Sequence, residues 1–417
     1  MPNIRRGMMA AAGAGGGVEY ELWAWGNGGS GTLGNGEAVG KTSPIQIGDK
    51  FMGEIDVAGE GIIATGNRID AGGVSSAAIK GDGTLWTWGS NTQGKLGIGD
   101  TTSRSSPVQV GSLTDWRSIL VGWTSMCATK TDGTLWGWGN GDQPDTYPKL
   151  SGQQIDVSSP VQIGSDTDWT GVLAINSKFA NAALGLKTDG QMYMWGSGIT
   201  AYWTQAGFAY SPSDPPYSNA LYSRYPTAID DKSYVNAGCG NNCVLAIEKD
   251  TGKLWAWGYN NYGQLGNGTT TSISSPVQIG SATDWLWTAG DEQGETFVAA
   301  NTNGEIWGSG RQEVGALGLE NKTGYCSPVQ VGGPGGWSAG GHGMAGRGTL
   351  HDITDANGDN TGGALWACGD DFYGILGNGG SGDTSSPIQI GTDTTWVALN
   401  KQASRSTTWK LAIKQAD

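Results

Sequence analysis

A five-residue motif in which large apolar residues alternate with small or polar ones recurs along the chain. It reads LWAWG, LWTWG or LWGWG in its clearest copies, and MYMWG, IWGSG and LWACG in weaker ones. Alternation with a period of two residues predicts a β-strand with one buried face. Asp-Gly before several copies predicts a hairpin turn, and the Gly after the motif ends the strand. The seven copies begin at Leu22, Leu85, Leu135, Met192, Leu254, Ile306 and Leu365.

Two further marks follow the motif in the same order. The first is SPVQIG or a close variant, whose Pro is expected at the first residue of a strand, where no ladder N–H is lost. The second is a Trp shortly afterwards. SPVQIG-like segments begin at Ser43, Ser106, Ser159, Ser275, Ser327 and Ser386, with a degraded YPTAI at Tyr225, and the later Trp is Trp116, Trp169, Trp285, Trp337 or Trp396. Four short strands per unit, repeated seven times, predict an all-β, seven-bladed β-propeller with Trp side chains packed between blades.

The C-terminal phrase LAIKQAD stops where other units continue into LWxWG, and the first LWAWG lacks the strand that precedes it elsewhere. We therefore expect Leu411–Lys414 to lie antiparallel beside Tyr20–Trp25 in one blade, which TTWVALN begins. Such pairing closes the ring and removes open sheet edges. It divides the chain into a Gly/Ala-rich arm at residues 1–18 and a propeller at residues 19–417.

Composition narrows the class of protein. The 417 residues include 74 Gly and 20 Trp, and the formal net charge is −14. A nucleic-acid binder neutralises phosphates with Lys and Arg, so this charge excludes DNA or RNA as the expected partner. No run of 18 apolar residues is present, so no membrane insertion is expected. The five Cys are scattered and odd in number, which favours small buried strand residues over a disulfide framework or a zinc site.

The combination of marks resembles the RCC1 (regulator of chromosome condensation) repeat family. The residues that carry the resemblance are the LWxWG strands, the SPVQIG segments and the loops NTQGKLGIG (Asn91–Gly99), NYGQLGNG (Asn261–Gly268) and FYGILGNG (Phe372–Gly379). The resemblance extends from about residue 19 to residue 417 and implies a seven-bladed propeller. Founding members exchange nucleotide on a small GTPase and dock on chromatin, whereas other members bind proteins, including a secreted inhibitor of β-lactamase. No residue here maps as an exchange wedge, so the resemblance implies a binding platform.

Departures from the repeat are candidate functional segments. The largest, residues 196–226, replaces the Gly-rich loop of the fourth unit with aromatic residues, which supply rigid contact area in binding loops. It is interpreted either as a cap on its own blade or as a contact for a partner or glycan. The candidate binding residues are Tyr202, Trp203, Phe208, Tyr210, Tyr217 and Tyr222.

Two polar segments also interrupt the pattern. Residues 139–157 look like an exposed loop without an assigned function. In residues 351–365, Asp355, Asn357 and Asp359 alternate as calcium ligands can, but Trp366 stands where an EF-hand loop needs Glu, which leaves a lengthened hairpin turn as the alternative. We expect no metal and no cofactor. Catalysis lacks a motif, since the chain has two His and no nucleophile or phosphate-loop signature, so we expect no enzyme activity.

The leading hypothesis is a structural or binding propeller of a bacteriophage virion, as a capsid-decorating or tail-associated subunit. Its Gly/Ala-rich arm and its acidic, Lys-poor composition suggest this placement, with partners among capsid or tail proteins. The attachment residues in the arm are Ile4, Arg5, Arg6, Met8 and Met9. The alternatives are a soluble adhesin that binds a glycan or receptor through residues 199–225, and a guanine nucleotide exchange factor.

Overall fold

The computed structural model describes residues 18–55, 68–140, 156–175, 182–199, 221–240, 243–291, 295–331, 343–345, 349–353, 362–400 and 408–416. Short 3-10 helices at Gly29–Gly31, Thr92–Gly94 and Phe372–Gly374 are its helical elements in these ranges. The first strands are β1 (Glu19–Gly26), β2 (Lys41–Ile47), β3 (Gly53–Glu54), β4 (Ile69–Gly72), β5 (Ser75–Ile79), β6 (Leu85–Gly89), β7 (Arg104–Gln109), β8 (Trp116–Val121), β9 (Ser125–Lys130), β10 (Leu135–Gly139), β11 (Val157–Gln162), β12 (Trp169–Ile175), β13 (Ala182–Lys187) and β14 (Gln191–Ile199). They are followed by β15 (Leu221–Gly240), β16 (Cys243–Glu248), β17 (Leu254–Gly258), β18 (Ile273–Gln278), β19 (Trp285–Gly290), β20 (Thr296–Asn301), β21 (Ile306–Gly310), β22 (Tyr325–Gln330), β23 (Gly343–Ala345), β24 (Thr349–Ile353), β25 (Leu365–Gly369), β26 (Thr384–Gln389), β27 (Trp396–Leu399) and β28 (Trp409–Gln415).

Antiparallel pairing sorts these strands into seven four-stranded blades. Blades 2 and 3 are β4–β7 and β8–β11, and blades 6 and 7 are β19–β22 and β23–β26. Blades 4 and 5 form one seven-stranded sheet because they share β15, which pairs with β14 up to Ser233 and with β16 from Tyr234 onward. The degraded YPTAI segment lies inside this long strand. The predicted all-β, seven-bladed architecture is confirmed.

Blade 1 is built from both ends of the chain. Its strand order is β2-β1-β28-β27, with the short β3 paired to the start of β1. Leu22 lies opposite Ile413, and Ala24 lies opposite Leu411. Trp396 opens β27 and pairs with Lys414. The predicted antiparallel pairing of Leu411–Lys414 with Tyr20–Trp25 is therefore confirmed.

The blades present two distinct faces. The first strands of neighbouring blades, such as β4 and β8, lie against one another, and the outermost strands carry the SPVQ segments. The Asp-Gly turns between second and third strands define the turn face. The opposite face carries the turns between first and second strands and the Gly-rich loops between third and fourth strands, and we call it the loop face.

In five of the blades, the second aromatic position of the LWxWG strand links neighbouring blades. Its side chain is buried and donates a hydrogen bond to a backbone carbonyl in the Gly-rich loop of the preceding blade. Two weaker copies keep a donor there with Ser309 or Cys368 in place of Trp, whereas the indole nitrogens of Trp195 and Trp257 are buried without a hydrogen-bond partner among the described residues. The bonds run from Trp25 to Ile375 (2.7 Å), Trp88 to Thr32 (2.9 Å), Trp138 to Lys95 (2.9 Å), Ser309 to Gln264 (2.8 Å) and Cys368 to Ala316 (3.5 Å).

The Gly-rich loop can approach this Trp only because it lacks a side chain. Gly97 has a φ of +73°, and a Cβ there would lie 2.6 Å from the indole nitrogen of Trp138. Gly94 also has a positive φ, and its Cβ would lie 2.7 Å from the Cα of Ser158 in the next blade. Glycine is therefore required both for the backbone conformation and for contact between blades.

The prediction that Pro begins the outermost strand is wrong. β7 begins at Arg104, three residues before Pro107. The register with β6 shifts between the Val108 and Arg104 pairs, so Pro107 lies within the irregular segment. An outermost strand has a neighbour on one side only, and an edge strand with a bulge tolerates the missing N–H.

The four cysteines whose side chains the structure describes are free, and three of them are buried, as expected. Cys127, Cys243 and Cys368 are buried in strands. Cys326 differs, since it lies in the outermost strand β22 and is only partly buried.

The link between blades can be tested within one strand. Trp138→Phe removes the donor to the Lys95 carbonyl and leaves a small cavity, so we expect a loss of about 2–3 kcal/mol in the free energy of unfolding. Trp136→Phe is the matched control, because Trp136 is half-buried and donates to the Thr134 hydroxyl at the rim. It should cost about 1 kcal/mol or less. Urea denaturation of both variants measures the difference, and equal losses would contradict the proposed role of Trp138.

Candidate functional surface on the loop face

Most residues singled out as candidate sites lie outside the described part of the chain. This holds for Tyr202, Trp203, Phe208, Tyr210 and Tyr217, and for the arm residues Ile4, Arg5, Arg6, Met8 and Met9. Tyr222 lies in β15, but its side chain is outside the described set. These assignments stay predictions.

The calcium alternative has the same standing. Asp355, Asn357 and Asp359 lie outside the described residues. Among the residues that are described, no group of three or more His, Cys, Asp or Glu side chains is placed to hold a metal ion.

The Gly-rich loops of blades 2, 5, 6 and 7, on the loop face, are each anchored by one side chain. In blade 2, the Asn91 side-chain oxygen accepts from the Leu96 N–H at 2.9 Å, and its amide donates to the Asp100 carbonyl. Asn260, Gln312 and Asp371 occupy the same position in blades 5, 6 and 7 and accept from the equivalent Leu N–H groups. A buried side chain thus fixes the loop while its tip projects outward.

The tips of these loops carry the exposed aromatic side chains. Phe372 and Tyr373 are 59% and 53% exposed, and their ring centroids are 4.2 Å apart. Tyr373 has a φ of +66°, which is uncommon for a residue other than Gly and places a large ring at the apex. Tyr262 is at the same sequence position in the loop of blade 5. Trp123 lies in the turn between the first and second strands of blade 3. All four aromatic side chains classed as exposed among the described residues therefore lie on the loop face.

Tyr262 is covered by a cation from the next blade. The guanidinium carbon of Arg311 lies 5.3 Å from the Tyr262 ring centroid, within cation–π range. Glu295 accepts from Arg311 at 2.7 Å, and Glu313 also pairs with it. These two carboxylates raise the pKa of Arg311, so the side chain stays charged. An aromatic loop tip in this fold can therefore bind a guanidinium.

The loop of blade 7 has carboxylates where other loops have neutral groups. Asp371 replaces Asn91, and Asp383 replaces Ser103 as the acceptor for the backbone N–H of the anchor residue. Burial, followed by the nearby charges of Asp383 and Asp370, raises the pKa of Asp371. Its Oδ2 is buried without a hydrogen-bond partner among the described residues. Negative potential is thus concentrated beneath the Phe372–Tyr373 tip.

The turn face shows the chain's own way of holding an ammonium group. Lys130 lies 4.3 Å above the Trp136 ring centroid and 3.5 Å from an Asp115 carboxylate oxygen. Lys414 makes the equivalent contacts with Trp23 and Asp393. In each case one ammonium group lies over the face of a Trp ring and pairs with one carboxylate.

A second group of charged side chains lies buried at the junction of blade 1 with its neighbours. Lys410 is fully buried and donates to the Asn400 carbonyl at 3.1 Å. Asp70 accepts from the Val121 N–H at 2.6 Å. Burial raises the pKa of Asp70 to about 8 and lowers the pKa of Lys410 to about 7. His351 is also buried, which lowers its pKa, and its Nε2 donates to the Ile375 carbonyl. These groups bear on stability, not on a surface site.

Sequence reasoning missed both the loop tips and the buried charges. A comparison of the loops with one another would have found the loop tips, since aromatic Phe372-Tyr373 stands where blade 2 has polar Thr92-Gln93. Lys410 lies opposite Trp25, where the equivalent positions hold Ser76 and Met126. A Lys at a position that faces a buried Trp was a detectable signal.

In the described ranges, no helix has the length and apolar character needed to cross a membrane.

Comparison with known proteins finds similarity over part of the chain. The model of the regulator of chromosome condensation (RCC1) repeat matches residues 82–129 and 251–287. The chain is 26% identical to the ultraviolet-B receptor UVR8 of Arabidopsis thaliana over 272 residues, which are 63% of this chain and 54% of that protein. It is 30% identical to the human E3 ubiquitin-protein ligase HERC2 over 265 residues, 63% of this chain but 5% of that protein. The matches thus span about half of the first relative and a small part of the second.

Solved structures agree with this result at the level of fold. Yeast RCC1 (Prp20), solved bound to Kap60, superposes with a TM-score of 0.73 at 14% identity, covering 98% of this chain and 95% of that one. Human WBSCR16 gives a TM-score of 0.69 at 16% identity, covering 95% and 99%. The sequence repeats and the seven four-stranded blades agree with both comparisons, and the chain is a β-propeller in which residues 82–129 and 251–287 match the RCC1 repeat.

Proposed function

We propose that the chain is a non-catalytic, protein-binding propeller that uses its loop face as the binding surface. The observation that carries the proposal is the position of the exposed aromatic residues of the described ranges, which all lie on that face, at Trp123, Tyr262, Phe372 and Tyr373. Aromatic side chains are enriched at protein interfaces, and rigid rings on loops supply contact area at low entropic cost. Similar propellers support protein binding as the class, since yeast Prp20 has been studied with Kap60, Gsp1p and histones.

The proposal can be tested by site-specific photo-cross-linking in an extract of the source cells. A benzoyl-phenylalanine replaces Tyr373 on the loop face, or Leu113 on the turn face, which is 43% exposed and serves as the control. We expect a discrete cross-linked protein from position 373 and none from position 113. Adducts of equal yield from both positions, or none from position 373, would refute the loop face as the binding surface.

The identity of the partner forms the finer part of the proposal. Placement in a bacteriophage virion, with capsid or tail proteins as partners and residues 1–18 as the attachment arm, rests on the Gly/Ala-rich arm and the net charge of −14. Capsid or tail genes beside the coding gene would support it, and their absence would count against it. The glycan-binding and nucleotide-exchange alternatives stay predictions from sequence, and no described residue favours either.

A further inference from the structure

The loops of blades 5 and 7 each carry a Tyr at the tip, but they differ in which side chain covers that Tyr. Tyr262 and Tyr373 each precede the Gly that contacts the next blade, Gly263 and Gly374. Tyr262 is covered by Arg311, the residue after the Gly that ends β21. In blade 1, which follows blade 7, the equivalent residue after β1 is Asn27. Among the described residues, the blade 7 tip therefore has no guanidinium at the position that Arg311 occupies over the blade 5 tip.

The described cationic and polar side chains near the blade 7 tip do not take the place of that guanidinium. Asn27 is turned to its own loop, where its side-chain oxygen accepts from the Gly29 N–H at 2.9 Å. Lys41 precedes Thr42, which packs on Gly374, but its ammonium pairs with Glu37 at 2.9 Å. Within the described residues, no cation lies over the ring of Phe372 or Tyr373. Both rings remain more than half exposed.

The charge beneath the tip favours a cation from outside. The Asp370 carboxylate accepts from the Phe372 N–H at 3.2 Å, so it lies against the backbone of the tip. Asp371 and Asp383 add two carboxylates in the same loop. Arg311 is held over Tyr262 between one ring and two carboxylates, which come from its own blade. The blade 7 loop offers the same kinds of group, but its carboxylates belong to the loop that carries the rings.

We propose that the Phe372–Tyr373 tip binds an arginine side chain of a basic segment on a partner protein. The guanidinium stacks on the aromatic rings, and the carboxylates of Asp370 and Asp383 attract its charge. Arg suits such a site better than Lys, because its planar group stacks on rings and is more weakly hydrated. The inference rests on the proposed function, since it names the chemistry that the loop face recognises.

The direct test uses a fluorescein-labelled peptide of alternating Arg and Gly, with a citrulline-Gly peptide as the neutral control. Binding to the full chain is followed by fluorescence anisotropy. We expect the arginine peptide to bind and the citrulline peptide not to bind. Tyr373→Gly should weaken binding about tenfold, which corresponds to about 1.4 kcal/mol, although the net charge is unchanged. Because Gly suits a φ of +66°, this variant should keep its thermal stability.

Two further variants separate the tip from general attraction to an acidic protein. Tyr262→Ala is the matched aromatic control and should change the affinity less than twofold. Asn27→Arg should place a guanidinium over Tyr373, as Arg311 does over Tyr262, and should abolish peptide binding. If Tyr373→Gly and Asn27→Arg bind the peptide as the parent chain does, the inference is wrong. Cross-linking from position 373 would still support the broader function in that case, so the two failures can be distinguished.

Discussion

A chain that ends before β28 is expected to unfold entirely instead of losing one strand. β28 lies between β1 and β27 and pairs with both. It buries Trp409, Leu411 and Ile413. At about 1.5–3 kcal/mol for each large buried side chain, the loss reaches about 5–9 kcal/mol, which is comparable to the net stability of most domains. Circular dichroism of residues 18–408 should show no cooperative thermal transition.

The matched control for this truncation is a circular permutant. It joins residue 416 to residue 18 through a short Gly-Ser linker and opens the chain at the exposed Leu113 on the turn face. Every strand is retained, so its melting temperature should lie close to that of linear residues 18–416. A cooperative transition in the truncated chain, or an unfolded permutant, would show that the paired termini do not hold blade 1 together.

The second large effect concerns pH. The pKa of Asp70 is raised from 3.8 to about 8, so above pH 4 the folded state keeps a proton that the unfolded state has released. Its contribution to stability therefore falls as the pH rises through this window. The pKa of Lys410 is lowered from 10.5 to about 7, so in the alkaline window the unfolded state keeps the proton and stability rises with pH. Together they predict a minimum near neutral pH, with slopes of up to about 1.4 kcal/mol per pH unit.

The double variant Asp70→Asn/Lys410→Met isolates this pair. Asn keeps an oxygen for the Val121 N–H, and Met fills the volume of the Lys stem with apolar atoms. His351 contributes a trend of opposite sign below pH 6.5, and Lys95, whose pKa burial lowers to about 7, adds a rise in the alkaline window, but both are present in both proteins and cancel in the difference. Measured by urea denaturation between pH 5 and pH 10, the free energy of unfolding of the parent chain minus that of the variant should pass through a minimum near neutral pH. A difference that does not change with pH would contradict the assignment.

The repeat made the architecture predictable because the same strand motifs recur in the same order in each unit. LAIKQAD lacks the LWxWG strand that follows it in other units, and this was sufficient to predict that β28 pairs with β1. The observed pairing buries Leu411 and Ile413, which a shift of one residue would have turned away from the core. The position of Pro107 was not predictable in this way. An edge strand with a bulge places the residue by pairing geometry that the local sequence does not specify.

The candidate surface was predicted less well. Attention to the longest departure from the repeat pointed to residues 196–226, whereas the exposed tip in blade 7 has a loop of ordinary length. Whether an aromatic tip is covered depends on a residue of the following blade. For Tyr262 this residue is Arg311, about 50 residues further along the chain. For Tyr373 it is Asn27, near the other end of the chain in blade 1. Such a relation between neighbours appears only when the blades are arranged in a ring.

The closure of blade 1 also gives the molecule a direction. β1 begins and β28 ends on the turn face, where the Ala416 N–H donates to the Glu19 carbonyl at 2.9 Å. Anything joined at either of these residues departs from the side opposite to Phe372 and Tyr373. A propeller tethered to a support through either end therefore holds its aromatic loop tips toward the surroundings, and one fusion site serves as well as the other for display.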